Sequence, residues 1–185
     1  EAVKLFTEGR YSESLSTVDT VLEKDFSNFL LYQLKGEILE IENDMLVAES
    51  FYQKARELSG QWVKPLYSQA IINLKIKDIS KSNNLFLQVL KENKKHKSAY
   101  FGLGILEFSR GQYEKAANYF NSGMDIETFM DRGLEAQGYE ALSEIYLMRG
   151  DKSKALDLAN LNLKKNPSRK LAQELCNRLG GCDKT

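Results

Sequence analysis

Histidine, cysteine, proline and tryptophan are nearly missing from this chain of 185 residues, which holds one His, two Cys, two Pro and one Trp. The lone histidine, His96, lies in Lys94-Lys95-His96-Lys97, where a solvated turn is expected. Its neighbours are cations, so no carboxylate is at hand to orient it as a general base. One histidine with Cys176 and Cys182 does not make a zinc ligand set. No Gly-rich phosphate loop of the P-loop or Rossmann kind occurs. We therefore expect no catalytic residue, no metal and no cofactor. Both cysteines lie beside the C-terminus, and a chain this long needs no disulfide staple, so reduced thiols are expected. Gly180-Gly181 leaves the alternative open, since a helix stopping there would let Cys176 and Cys182 bridge.

A surplus of either charge is missing too: Lys plus Arg and Asp plus Glu number 26 each. A nucleic-acid partner is not expected, because displacing counterions takes a basic face. The balance conceals a mild polarity, with 6 basic and 12 acidic side chains in residues 1–60, then 8 and 2 in residues 61–100. No apolar run approaches the ~18 residues that span a bilayer, and no charged-then-apolar leader opens the sequence. Membrane insertion is not expected, and a cytoplasmic location is. Glu1 falls inside a half-finished repeat, which reads as a domain cut from a longer protein.

What the chain does have is a ruler. Turn-like triplets begin at Gly9, Asn43, Lys77 and Gly111, each 34 residues after the last, and a fifth follows at Gly150. A period of this size marks stacked supersecondary units, each too small to bury its own apolar face. Within a unit the apolar stripe is helical: Tyr32, Gly36 and Leu39 before the Asn43 turn, Ala48, Phe51, Tyr52 and Ala55 after it. Small residues recur where two helices would cross, at Gly36, Ala70, Gly104 and Ser143. They recur on the facing helix at Ser14, Ala48, Ser82, Ala116 and Ala155. Bulk there would push the axes beyond the ~8–10 Å of close packing. Tyr52, Phe86 and Phe120 are placed to plug the gap to the next unit. Trp62 reads as a packing residue between units, and Pro65 fits a helix first turn.

These residues resemble the tetratricopeptide repeat (TPR) family, whose unit runs W-x2-L-G-x2-Y, then A-x3-F, then P. Residues 97–130 match best, through Tyr100, Leu103-Gly104, Ala116 and Phe120, while Glu107 stands in the aromatic slot and Thr128 in the proline slot. Residues 136–169 keep Tyr139, Leu142, Tyr146, Ala155 and Pro167, with Ala159 in an aromatic slot. Residues 63–96 carry Gln69 and Ser82 in place of Leu and Ala. The resemblance implies an all-α fold: a right-handed α-solenoid of antiparallel helix pairs forming one array over 1–185. Its units would be 1–28 (partial), 29–62, 63–96, 97–130 and 136–169, closed by a capping helix at 170–180. Five extra residues within 124–136 imply a lengthened loop or first helix.

In that family the first helices of successive units line a groove. By helical phase its wall would hold Leu30, Gln33, Glu37 and Ile41, then Lys64, Tyr67, Ile71 and Leu74. Phe101, Ile105 and Phe108 would follow, then Gln137, Glu140, Glu144 and Met148. Tyr67, Phe101 and Phe108 would anchor a peptide or amphipathic helix, and Glu37 and Glu140 would select basic flanks. The bland alternative is that these aromatics fill the inner wall. Family members that clamp the C-terminal tails of Hsp70 or Hsp90 use Lys, Asn and Arg. Here Gln33, Leu34, Glu37, Lys64, Ser68, Ser98 and Gly102 hold those slots, which argues against such a ligand. The string Leu31–Glu37 with Trp62 further resembles bacterial proteins in which a receiver domain precedes TPR units. The expected function is a non-catalytic protein-interaction scaffold, one domain of a larger bacterial regulatory protein. A self-associating solenoid, down to a homodimer, is the alternative. The run Lys91–Lys97 could dock an acidic partner but reads more simply as a polar loop.

Overall fold

Each turn on the ruler ends a helix in the same way. Gly9, Asn43, Lys77, Gly111 and Gly150 all take positive φ, between 64° and 80°. Around Gly111 the chain closes a Schellman motif: the Gly111 N–H donates to the Phe108 carbonyl at 2.9 Å and the Gln112 N–H to that of Glu107 at 2.9 Å. The pair of bonds repeats at Gly9, Asn43 and Gly150. The left-handed residue turns the chain back on itself, so each turn joins two antiparallel helices.

The computed structural model describes residues 1–127 and 132–181. Among them lie eleven helices and no strand. The chain divides into two compact units, Glu1–Asn93 and Lys94–Thr185. The first contains α1 (Ala2–Thr7), α2 (Tyr11–Leu22), α3 (Phe29–Ile41), α4 (Met45–Ser59), α5 (Val63–Lys75) and α6 (Ile79–Glu92). The second contains α7 (Lys97–Ser109), α8 (Tyr113–Met124), α9 (Arg132–Met148), α10 (Lys152–Lys165) and α11 (Lys170–Leu179). In both, hairpins stack side by side as an all-α solenoid: α3 packs on α4, α4 on α5 and α5 on α6, and likewise α7 on α8, α9 on both, and α10 on α9 and α11.

The small-residue slots do what close crossing requires. A Cβ on Gly36 would lie 2.5 Å from the Tyr52 ring, and one on Gly104 2.5 Å from the Phe120 ring. Where serine takes such a slot it also satisfies a carbonyl of the crossing helix. Ser14 donates to Ala2 at 2.8 Å, Ser82 to Ala70 at 2.9 Å and Ser143 to Ala155 at 3.2 Å. Tyr52, Phe86 and Phe120 are wholly buried. Tyr52 shows why one hairpin cannot stand alone: its cluster joins Leu39 and Ala48 of its own pair to Ile72 of the next. Burial pushes the Tyr52 phenol pKa far up, and its hydroxyl donates to Glu40 at 2.7 Å.

The extra residues before the last unit are partly accounted for by α9, which has 17 residues where α3, α5 and α7 have 13. The proline slot held by Thr128 lies outside the described residues. α11 caps the second unit as expected, ending at Gly180 with φ 113°. Leu175 and Cys176 pack on Ala159 there, with Leu147 and Leu163 beside them. Two expectations need correction. Cys176 is disulfide-bonded and not a reduced thiol; Cys182 lies outside the described residues. His96 is not in a solvated turn but is half-buried at the N-cap of α7, where burial depresses its pKa.

Candidate functional site: the first-helix faces

In the first unit α3 and α5 lie side by side, joined by a ladder of polar contacts. Lys64 meets Glu37 at 2.6 Å, and Lys75 meets Glu40 at 2.6 Å. One turn before Glu37, the Gln33 amide donates to Glu37 at 2.9 Å and to the Ser68 hydroxyl at 3.1 Å. Residues spaced 27 to 35 apart in sequence thus become neighbours because the hairpins stack in register. The rungs are partly exposed, so each contributes at most ~1 kcal/mol to stability. They fix register more than they add energy.

Beside the ladder the face is apolar and only partly covered. Leu30 and Ile41 of α3 are exposed, and Tyr67, Ile71 and Leu74 of α5 are half-buried. Tyr67 rests against Phe86 at a ring separation of 6.2 Å. Trp62, at the N-cap of α5, packs edge-on against Phe29 at 5.2 Å, the inter-unit role expected of it. Glu37 does not stand free to select a basic flank: it is already paired with Lys64 of the same face.

The second unit departs further from expectation. Phe101 is 0% exposed, with its ring edge-on to Phe120 at 5.5 Å and to Tyr139 at 5.9 Å. Gly123 and Gly138 press on the same ring. It is a core residue and not a groove anchor. Glu140 is 5% exposed and holds Arg169 through two bonds, at 2.7 and 2.9 Å. These bonds raise the Arg169 pKa and commit the Glu140 carboxylate to tying α9 to the start of α11. Ile105 and Phe108 remain half-buried, Phe108 against Tyr113 at 5.5 Å. Glu144 lines a shallow cleft of about 210 Å³ with Leu171, Glu174, Leu175 and Arg178.

Of the residues expected on the groove wall, Ile71, Leu74 and Ile105 are half-buried, whereas Phe101 and Glu140 are buried and cannot contact a ligand there. Helical phase assigns one face per helix, whereas α7 is enclosed on more than one side. Its many small residues, Ser98, Ala99, Gly102 and Gly104, all buried, were the available signal. Sequence reasoning also missed a buried polar set in the first unit. Gln69 donates to Gln53 at 3.0 Å and Asn73 to Glu49 at 2.8 Å, and Lys81 meets Glu49 at 2.5 Å. Gln69 in a leucine slot was its visible trace. Among the described residues no cluster of His, Cys, Asp or Glu could hold a metal ion, and no helix is long and apolar enough to cross a membrane.

Stacked hairpins with small residues at the crossings and one face of first helices left open define a helical-repeat solenoid. Residues 67–125 match the tetratricopeptide repeat family. A TPR repeat-containing protein of Methanocaldococcus jannaschii, MJ1428, is 27% identical over 123 residues; these are 65% of this chain but 21% of that one. This chain thus spans about a fifth of that relative's length. Among solved structures, YrrB, described as a TPR protein with an unusual peptide-binding site, superposes with a TM-score of 0.67 at 17% identity. The match covers 94% of this chain and 87% of that one. The pilF protein of Pseudomonas aeruginosa gives 0.79 at 16% identity, over 96% and 78%. Similarity at this level bears on the fold alone.

Proposed function

We propose that the chain is a non-catalytic protein-interaction scaffold, and that the α3–α5 face of the first unit holds a peptide or amphipathic helix. The observation that carries this reading is the combination on one face of exposed Leu30 and Ile41 with half-buried Tyr67, Ile71 and Leu74. Ion-paired rungs flank them. Apolar positions on parallel first helices suit a ligand whose side chains recur every three or four residues. Tyr67 supplies a half-buried, rigid ring, a residue type favoured at interfaces. In the second unit Ile105, Phe108 and Glu144 remain candidates, and Phe101 and Glu140 are withdrawn. By the resemblance of Leu31–Glu37 and Trp62, the array serves as the docking arm of a larger bacterial regulatory protein in the cytoplasm.

The test is a selection of peptides from a displayed random library on the whole chain, followed by binding to Tyr67→Ala and Ile71→Ser. Both variants should keep their helical circular dichroism and bind the selected peptides at least ~10-fold more weakly, as loss of a central apolar anchor does. Peptides that bind the variants as well as the parent would place the site elsewhere.

A further inference from the structure

α11 is docked by few groups. It has ten residues, too few to persist as an isolated helix, and it packs chiefly on α10. The Arg169–Glu140 pair ties down its start. Only Ala172, Leu175 and Cys176 of its own side chains are buried. One of those three, Cys176, is held in a disulfide. The sequence has one other cysteine, Cys182. Six residues further along a continued helix, a cysteine would stand about 9 Å away along the axis, too far for a disulfide. The helix does not continue. Gly180 and Gly181 both take positive φ, 113° and 97°, conformations that glycine adopts without strain. The Gly181 N–H donates to the Cys176 carbonyl at 2.9 Å, so the chain is already turned back on Cys176 there.

We infer that Cys176 pairs with Cys182 and that this bond is a redox switch on the docking of α11. A chain of 185 residues needs no disulfide to complete its core, and in a reducing compartment such bonds are transient and sensing. The switch acts on a cleft. Of the five residues lining the 210 Å³ cleft at Glu144, four (Leu171, Glu174, Leu175 and Arg178) belong to α11. The cleft therefore exists only while α11 is docked. Opening starts when one thiolate of a dithiol reductant attacks a sulfur of the bond; its second thiolate then resolves the mixed disulfide. The reductant leaves as a disulfide, and both cysteines leave as thiols, with two electrons and two protons gained. The closed loop, Cys176 to Cys182, holds seven residues. By loop-closure entropy a bond across it favours the docked end of α11 by roughly 50-fold.

Hydrogen exchange of the whole chain, oxidised and after reduction with dithiothreitol, tests this. Amides of residues 171–181 should exchange about 10- to 50-fold faster once reduced, with α3 to α8 unchanged. Cys182→Ser, which leaves buried Cys176 in place, should match the reduced parent and ignore dithiothreitol. Iodoacetamide under denaturing conditions should add nothing to the oxidised monomer and two groups after reduction. Glutathione buffers at a cytoplasmic reducing ratio should open the bond in most molecules. Free thiols in the oxidised monomer, or a covalent dimer on a non-reducing gel, overturn the pairing. Equal exchange in the two states, or a bond that stays closed in the reducing buffer, overturns the switch.

Discussion

Lys77 is the one long-chained residue among the five left-handed turn positions, and replacing it with glycine should stabilise the first unit. Its φ of 64° matches those of Gly9, Gly111 and Gly150. For an L-residue that conformation brings Cβ too close to the following carbonyl, at about 1–2 kcal/mol. Glycine escapes that cost but gains freedom in the unfolded chain, which returns about 0.4–1 kcal/mol. The net gain for Lys77→Gly is therefore about 0.5–1 kcal/mol. For a unit of this size that corresponds to a rise of roughly 3–5 °C in melting temperature. Asn43→Gly, at φ 66°, should gain less, because asparagine tolerates the left-handed region. Gly111→Lys should lose about 1 kcal/mol in the second unit. Urea unfolding followed by circular dichroism, at concentrations where the chain is monomeric, measures all three. A Lys77→Gly variant no more stable than Asn43→Gly would refute the argument that this turn carries strain.

Phe101→Glu should unfold the second unit, since it puts a carboxylate into a fully enclosed ring site; the milder Gly138→Ala, whose Cβ meets the same ring, should cost about 1–3 kcal/mol of overpacking. A folded Phe101→Glu protein by circular dichroism would show that the ring is not the core element described here. Glu140→Ala should cost about 1–3 kcal/mol, because it strips the bidentate partner from Arg169; equal urea midpoints for parent and variant would remove that role. Burial lowers the His96 pKa below its ordinary 6.5, so the unfolded chain binds more protons in that range. Stability should then fall as pH drops below about 6.5 and level off beneath the depressed folded value. His96→Asn should flatten the difference in urea midpoint between pH 7.5 and 5.5, and an unchanged slope would exclude this histidine as its source.

The sequence by itself determined the unit and its joints. The turns at Gly9, Asn43, Lys77, Gly111 and Gly150 are local chemistry, decided within half a dozen residues by helix stop signals. The small-residue slots and the plugs Tyr52, Phe86 and Phe120 were also legible, because a crossing distance leaves the same mark in every repeat. Only the tertiary structure decided which side of each first helix stays open. Phe101 and Glu140 occupy the repeat position of buried Gln33 and half-buried Tyr67, and Tyr139, Gly138 and Arg169 arrive from tens of residues away to enclose them. Periodicity reports how a helix repeats, whereas burial depends on what packs against it. That second quantity is set by pairs of residues that no local window contains.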